Sequence, residues 1–241
     1  MLDAWDYKPG EICVRRFKAR DGVEKIQLRV DLGLLQMNAE GRPDGKRPCG
    51  CESWFEHHQN RLAKHCEANG GDSEGFSLTA EDCARLLQEA IQYHHRYICL
   101  FQLQDYEAVI RDTERNLEVF DFVDEFAPSD EVSWSLQQFR PQLLLMDTRA
   151  RGSLALKQDD FAQAVELVTH GLEGLRAFYE EFERPDLAEQ SGEVQSLEAW
   201  LAQLNDKKTA CSPPPVLSER QKLEMALNDA IRAEDYEKAA Q

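Results

Sequence analysis

Six residues in the first third of the chain carry metal-ligand side chains: Cys49, Cys51, His57, His58, His65 and Cys66. Thiolate sulfur and neutral imidazole nitrogen are the donors of tetrahedral zinc sites. The spacing is not the usual one. Cys49-Gly50-Cys51 is C-x-C, whereas structural zinc more often sits between the cysteines of C-x2-C. His58 and His65 are two helical turns apart, so they share a helix face, but Cys51 or Cys66 joins that face only roughly. Two readings stay open: a metal-binding or thiol-based sensor at residues 49–66, or two loop thiols followed by an ordinary helix.

Other candidates read as structural. Tyr93-His94-His95-Arg96 has no serine or cysteine at a spacing that would make a nucleophile–base pair. Gly41-Arg42-Pro43-Asp44-Gly45-Lys46-Arg47-Pro48 is the most basic loop, yet it lacks the glycine-lysine-serine ending of a phosphate loop. Its cations suit either an anionic partner or the protein's own acidic helices, and the second, an intramolecular docking, is the expectation. Carboxylate pairs such as Glu180-Glu181 suit exposed helix faces. No catalytic residue, metal or cofactor is expected. Trp54, Trp134 and Trp200 are expected in the core, and Trp5 and Tyr7 at the edge of the first strands.

These residues must be positioned by a chain whose texture changes near residue 77. Residues 11–31 alternate apolar and polar around Asp21-Gly22, which predicts a β-hairpin. Residues 34–53 then read as loop, and Ser53 as the cap of a helix from Trp54 to about Ala68. From Leu78 onward the apolar residues recur at helical spacing. Thr79 and Asp82 form a capping box. Breaks are expected at Asp105-Tyr106, at Pro128-Ser129 and at Gln158-Asp159. Pro141 either kinks a helix or opens one, and Pro185 opens another that ends near Leu204. Cys83 and Cys99 fall on apolar faces as small hydrophobes.

The full chain has 28 Lys/Arg against 45 Asp/Glu, a net charge of −17. The imbalance sits after residue 76: residues 1–76 hold 12 Lys/Arg against 13 Asp/Glu, and residues 77–241 hold 16 against 32. Such a surface repels phosphate backbones, so no direct nucleic-acid contact is expected. No apolar run is long enough for a membrane span, and the first residues do not have the pattern of a secretory signal. A cytoplasmic, bacterial-type protein with free thiols is the expectation.

One turn design recurs. Asp105-Tyr106, Asp160-Phe161 and Asp235-Tyr236 each follow an amphipathic helix. Each precedes small or β-branched residues: Val109-Ile110, Ala164-Val165 and Ala239-Ala240. The acid caps a new helix, the aromatic folds back on the old one, and the small residues let the two helices approach. Each unit is thus expected to be an antiparallel helical hairpin.

The first two hairpins resemble degenerate tetratricopeptide repeats over residues 78–183. Gly152 stands twelve residues before Ala164, with Gly171 seven further on, although Arg96 takes the glycine position in the first hairpin. The third stretch, LSERQKLEMALNDAIRAEDYEKAAQ, resembles the UVR motif (the UvrB/UvrC motif) at Leu223, Leu227, Ala230, Ile231, Asp235, Tyr236, Glu237, Ala239 and Ala240. The motif would continue beyond Gln241, so only its first helix and the start of its second are expected here. The resemblance implies a protein contact element that often pairs with a like hairpin, with Leu223, Leu227, Ile231, Tyr236 and Ala240 as its apolar face.

The expected fold is mostly α: stacked antiparallel helical hairpins, similar to tetratricopeptide repeats, behind a small N-terminal β-hairpin. The expected divisions are residues 1–76, with hairpin, basic loop and one helix; a helical body at 77–206; a proline-rich linker at 207–217; and a UVR-like hairpin at 218–241. The expected function is a non-enzymatic adaptor in DNA repair or protein quality control. Its partner would be a protein, with homodimerisation through a second UVR-type hairpin as one form.

Overall fold

The computed structural model describes residues 5, 10–30, 32–182 and 185–211. The UVR-like stretch therefore lies outside the described residues. The chain divides after Leu204, and the unit before that point is the one treated below.

The N-terminal strands form a three-stranded antiparallel meander, one strand more than the alternation predicts. β1 (Cys13–Lys18) and β2 (Glu24–Val30) make the expected hairpin. At its turn Gly22 takes φ 83° and the Asp21 carboxylate accepts from the Val23 N–H. β3 (Gly33–Asn38) adds to the free edge of β2. Its sequence, GLLQMN, does not alternate, and Leu35 remains largely exposed. Edge pairing, rather than an amphipathic pattern, makes this segment a strand. One sheet face sends Val14, Ile26, Leu28 and Met37 into the helical core. The other carries a cross-strand chain in which Arg15 Nε donates to Gln27 and Gln27 Nε2 donates to Gln36.

Helix α1 (Trp54–Ala68) starts at the Ser53 cap, as expected. α2 (Ala80–Gln102) starts at the Thr79/Asp82 capping box, and both of the box's hydrogen bonds form. α3 (Tyr106–Phe126) follows, then the short α4 (Asp130–Gln137), and Pro141 lies in the first turn of α5 (Arg140–Lys157). α6 (Phe161–Glu181), α7 (Pro185–Gln190) and α8 (Gly192–Cys211) complete the described helices. The single helix expected from Pro185 is two, because Ser191 caps a fresh start by accepting from the Val194 N–H. α8 then runs on past Leu204. Among the described residues no helix is long and apolar enough to cross a membrane.

The two described turns of the recurring design share their cap and the backbone before it. Asp105 accepts from Ala108 N–H, and Asp160 from Gln163 N–H. The residue before each acid is left-handed: Gln104 at φ 58° and Asp159 at φ 60°. Tyr106 lies edge-on to Phe101 of the preceding helix, with centroids 5.4 Å apart. Both turns close antiparallel hairpins. In α2/α3, Arg96 meets Asp112 while Glu89 meets Arg115. In α5/α6, Gly171 packs on Thr148 and Val168 on Gly152. Between the hairpins α3 runs antiparallel to α5, since Thr113 bonds Asp147 and Asp121 pairs with Arg140. The stacked helical hairpins expected from the sequence are thus present, with the sheet and α1 against the first of them.

Candidate functional site

Alternating directions place α2 and α5 parallel to each other. α8 is parallel to α5 as well, since Arg149 bonds Ser196 and, one turn on, Gly152 abuts Trp200. A face of each first helix is thereby turned to a common side. Leu87, Ile91 and His94 lie on that face of α2, and Gln142, Arg149 and Ser153 on that of α5, all at helical spacing.

Between α2 and the start of α5, over α3, lies a groove of about 220 Å³. Leu87, Ala90, Phe120 and Leu143 make it apolar, and Asn116 forms part of its floor. The Asn116 side chain is already satisfied, donating to Ala90 C=O at 3.0 Å. Ile91 and Phe139 stand at the rim, 44% and 45% exposed. The two titratable linings stay neutral. Burial, reinforced by neighbouring His95, lowers the His94 pKa, and burial raises that of Tyr97. His94 Nδ1 and the Tyr97 hydroxyl are 2.7 Å apart. An uncharged groove with exposed aliphatic and aromatic rims can seat an apolar side chain from another molecule.

A buried ionic network holds these helices. Glu89 is fully buried; it accepts from the N–H groups of Trp54 and Phe55 at the start of α1 and forms ion pairs with Arg115 and Arg42. Arg96 grips Asp112 and also donates to the C=O groups of Asn38 and Gly41. The basic loop is therefore docked intramolecularly, as its charge suggested. Arg42 turns inward to a helix carboxylate, and Arg47 pairs with Glu52.

The Cys/His set does not converge: among the described residues no three His, Cys, Asp or Glu side chains surround a point a metal could occupy. His58 is in the core. Its Nδ1 lies 2.9 Å from Arg61 and its Nε2 3.8 Å from Asp82. Burial drives its pKa down to about 4; Asp82 opposes this, and Arg61, His57 and Arg85 add to it. Burial alone would raise the Asp82 carboxyl, but hydrogen bonds from Arg61 and Thr79 outweigh it and hold the group at about 2. His65 lies 2.9 Å from the Glu74 C=O, and Cys49 is exposed in its loop at φ 51°. Cys83 and Cys99 are buried as expected, and burial pushes their thiols up to about 11 and about 12.

Among the tryptophans, Trp54 and Trp200 pack partly buried against the two cores, whereas Trp134 is 44% exposed beside Phe178 and Phe182. The short α4 turns this indole outward. Glu180 and Glu181 lie on the surface of α6. Leu223, Leu227, Ile231, Tyr236 and Ala240 lie outside the described residues. The groove itself escaped the sequence because Leu87 and Ile91 follow a core pattern, and Phe139 stands where the pattern left a kink or a new helix open.

Comparison of the chain with protein-family models, with curated proteins and with solved structures finds no match in any of the three.

Proposed function

We propose that the protein is a non-enzymatic adaptor that binds a partner protein through the α2–α5 groove. The observation that supports this reading is the pair of exposed residues, Ile91 and Phe139, over an uncharged apolar groove on a stack of hairpins. The matching partner segment carries an apolar anchor flanked by basic residues, because residues 77–241 hold 32 Asp/Glu against 16 Lys/Arg. Four groups whose pKa values burial displaces, His58, Cys83, Tyr97 and Cys99, are core side chains, which fits a binding role better than a catalytic one. On the UVR resemblance, residues 218–241 supply a second contact element through Leu223, Leu227, Ile231, Tyr236 and Ala240. The proposed setting is cytoplasmic, in DNA repair or protein quality control.

The test uses three forms of the protein: the full chain, the chain lacking residues 218–241, and Ile91→Glu/Phe139→Glu. A partner captured by the full chain is purified and titrated against all three. Each change is expected to weaken binding at least about tenfold while Tm stays within a few degrees. A partner that binds all three forms equally contradicts the proposal.

A further inference from the structure

From Arg85 to Arg176 the helical stack contains eight arginines. Among the described residues every one except Arg149 pairs with a carboxylate. Arg149 instead donates from Nη2 to the Ser196 hydroxyl at 2.6 Å. Its Nε is buried and has no hydrogen-bond partner. An arginine without a carboxylate partner among the described residues needs a reason, because a partly desolvated guanidinium is stabilised by an anion.

The surroundings supply one. Arg149 lines a cavity of about 410 Å³ between α5 and α8, closed at one side by the end of α2. Ser153 and Leu156 follow it at helical spacing on α5, and Ser196, Trp200 and Gln203 face it from α8. Among the described residues no carboxylate lines this space. Trp200 is seated by Gly152, where an added Cβ would lie 2.6 Å from the indole ring. Trp200, Phe101 and Leu156 therefore form an apolar wall beside one cation, two hydroxyls and an amide. The guanidinium fork matches the two oxygens of a carboxylate. One positive charge suits a monoanion rather than a phosphate dianion.

We propose that this pocket binds a carboxylate carried on an apolar body, with Arg149 as the anion-binding group and the Trp200 wall holding the body. The site does not depend on the partner reading above, since it uses the other end of α5. The same chemistry is offered by a free aryl or alkyl carboxylic acid and by the C-terminal carboxylate of a peptide.

Calorimetric titration of the full chain distinguishes these. The probes are 3-phenylpropionate, its neutral amide, and a tetrapeptide ending in phenylalanine with a free or an amidated C-terminus. Saturable binding of an acid is expected, with the matching amide at least about tenfold weaker, the ratio that one charge-assisted hydrogen-bond pair provides. Arg149→Gln should lose a similar factor, and Arg149→Lys should fall between. Ser153→Leu keeps Arg149 and fills the pocket, so it decides the matter if Arg149→Gln does not fold. Binding of phenylpropionate alone assigns a free acid as the ligand, and binding of the free peptide assigns a chain terminus. Equal binding of acids and amides, no binding of any probe at about 10 mM, or full binding by a folded Ser153→Leu protein overturns the proposal.

Discussion

Arg96 and Asp112 form a two-pronged ion pair across the first hairpin, with Nε 2.6 Å from Oδ2 and Nη2 2.7 Å from Oδ1, and both side chains are 1% exposed. The remaining Arg96 nitrogen holds the backbone of the basic loop. One side chain thus fastens α2 to α3 and residues 38–41 to both.

Arg96→Met removes the two-pronged partner of the buried Asp112 carboxylate and leaves it with Arg111, so the loss in urea unfolding should reach up to about 3–5 kcal/mol. The double variant Arg96→Met/Asp112→Leu removes both charges, and much of that loss should be recovered. It cannot restore the bonds to Asn38 and Gly41. Trypsin cleavage after Lys46, the tryptic bond of this loop that no proline follows, should therefore speed up in both variants. A double variant that is as unstable as the single one would show that the pair is not isolated from the rest of the network.

His58 makes stability depend on acid. Its folded pKa, about 4, lies below the unfolded value of 6.5, so the unfolded chain binds its proton first. The contribution is complete above pH 6.5 and disappears as pH falls from 6.5 to 4, amounting to at most about 3 kcal/mol. Asp82 adds a second loss lower down, between its unfolded value of 3.8 and about 2. The drop in urea midpoint from pH 7 to pH 5 should be smaller in His58→Gln than in the parent, and what remains includes the contribution of buried His94. A His58 imidazole signal, assigned by its loss in His58→Gln, that titrates near 6.5 in the folded protein would refute this.

The left-handed residues before the capping acids offer a gain. Gln104 and Asp159 both carry a Cβ at φ near 60°, where glycine is unstrained. Gln104→Gly and Asp159→Gly should each stabilise by several tenths of a kcal/mol up to about 1 kcal/mol. The two sites lie in separate turns, so their effects should add. Removing the cap with Asp160→Ala should instead cost about 1 kcal/mol. Thermal unfolding of the four proteins reads all of this.

Those turns also show how far the sequence could be read. The acid–aromatic pairs at 105–106 and 160–161 announced both hairpins, because a cap and a helix-facing aromatic are local chemistry. The Thr79/Asp82 box and the Ser53 cap set helix starts for the same reason. β3 was illegible, since its conformation comes from the edge of β2 rather than from its own pattern. The break at Ser191 was hidden inside a good helical texture. Arg149 drew no notice because an unpaired arginine is defined by what its neighbours lack, which spacing along the chain does not record. Ile91 and Phe139 were missed likewise, as helical periodicity marks an apolar face without saying whether another helix covers it.

Helix α6 carries two glycines whose roles the structure separates. At Gly171 an added Cβ would lie 2.1 Å from Thr148 Oγ1 on α5, so the helices cross too closely for a side chain. At Gly174 nothing lies within 4 Å. Both positions are helical, and alanine is the better helix former by about 1 kcal/mol. Gly174→Ala should collect that gain, stabilising by about 0.5–1 kcal/mol. Gly171→Ala must also push Thr148 or the α5 backbone aside, which costs about 1–3 kcal/mol and outweighs the propensity term. The two variants should therefore shift the urea midpoint in opposite directions. If Gly171→Ala is as stable as Gly174→Ala, the close α5–α6 crossing at Thr148 is wrong, and with it the packing that presents Arg149 and Ser153 to α8.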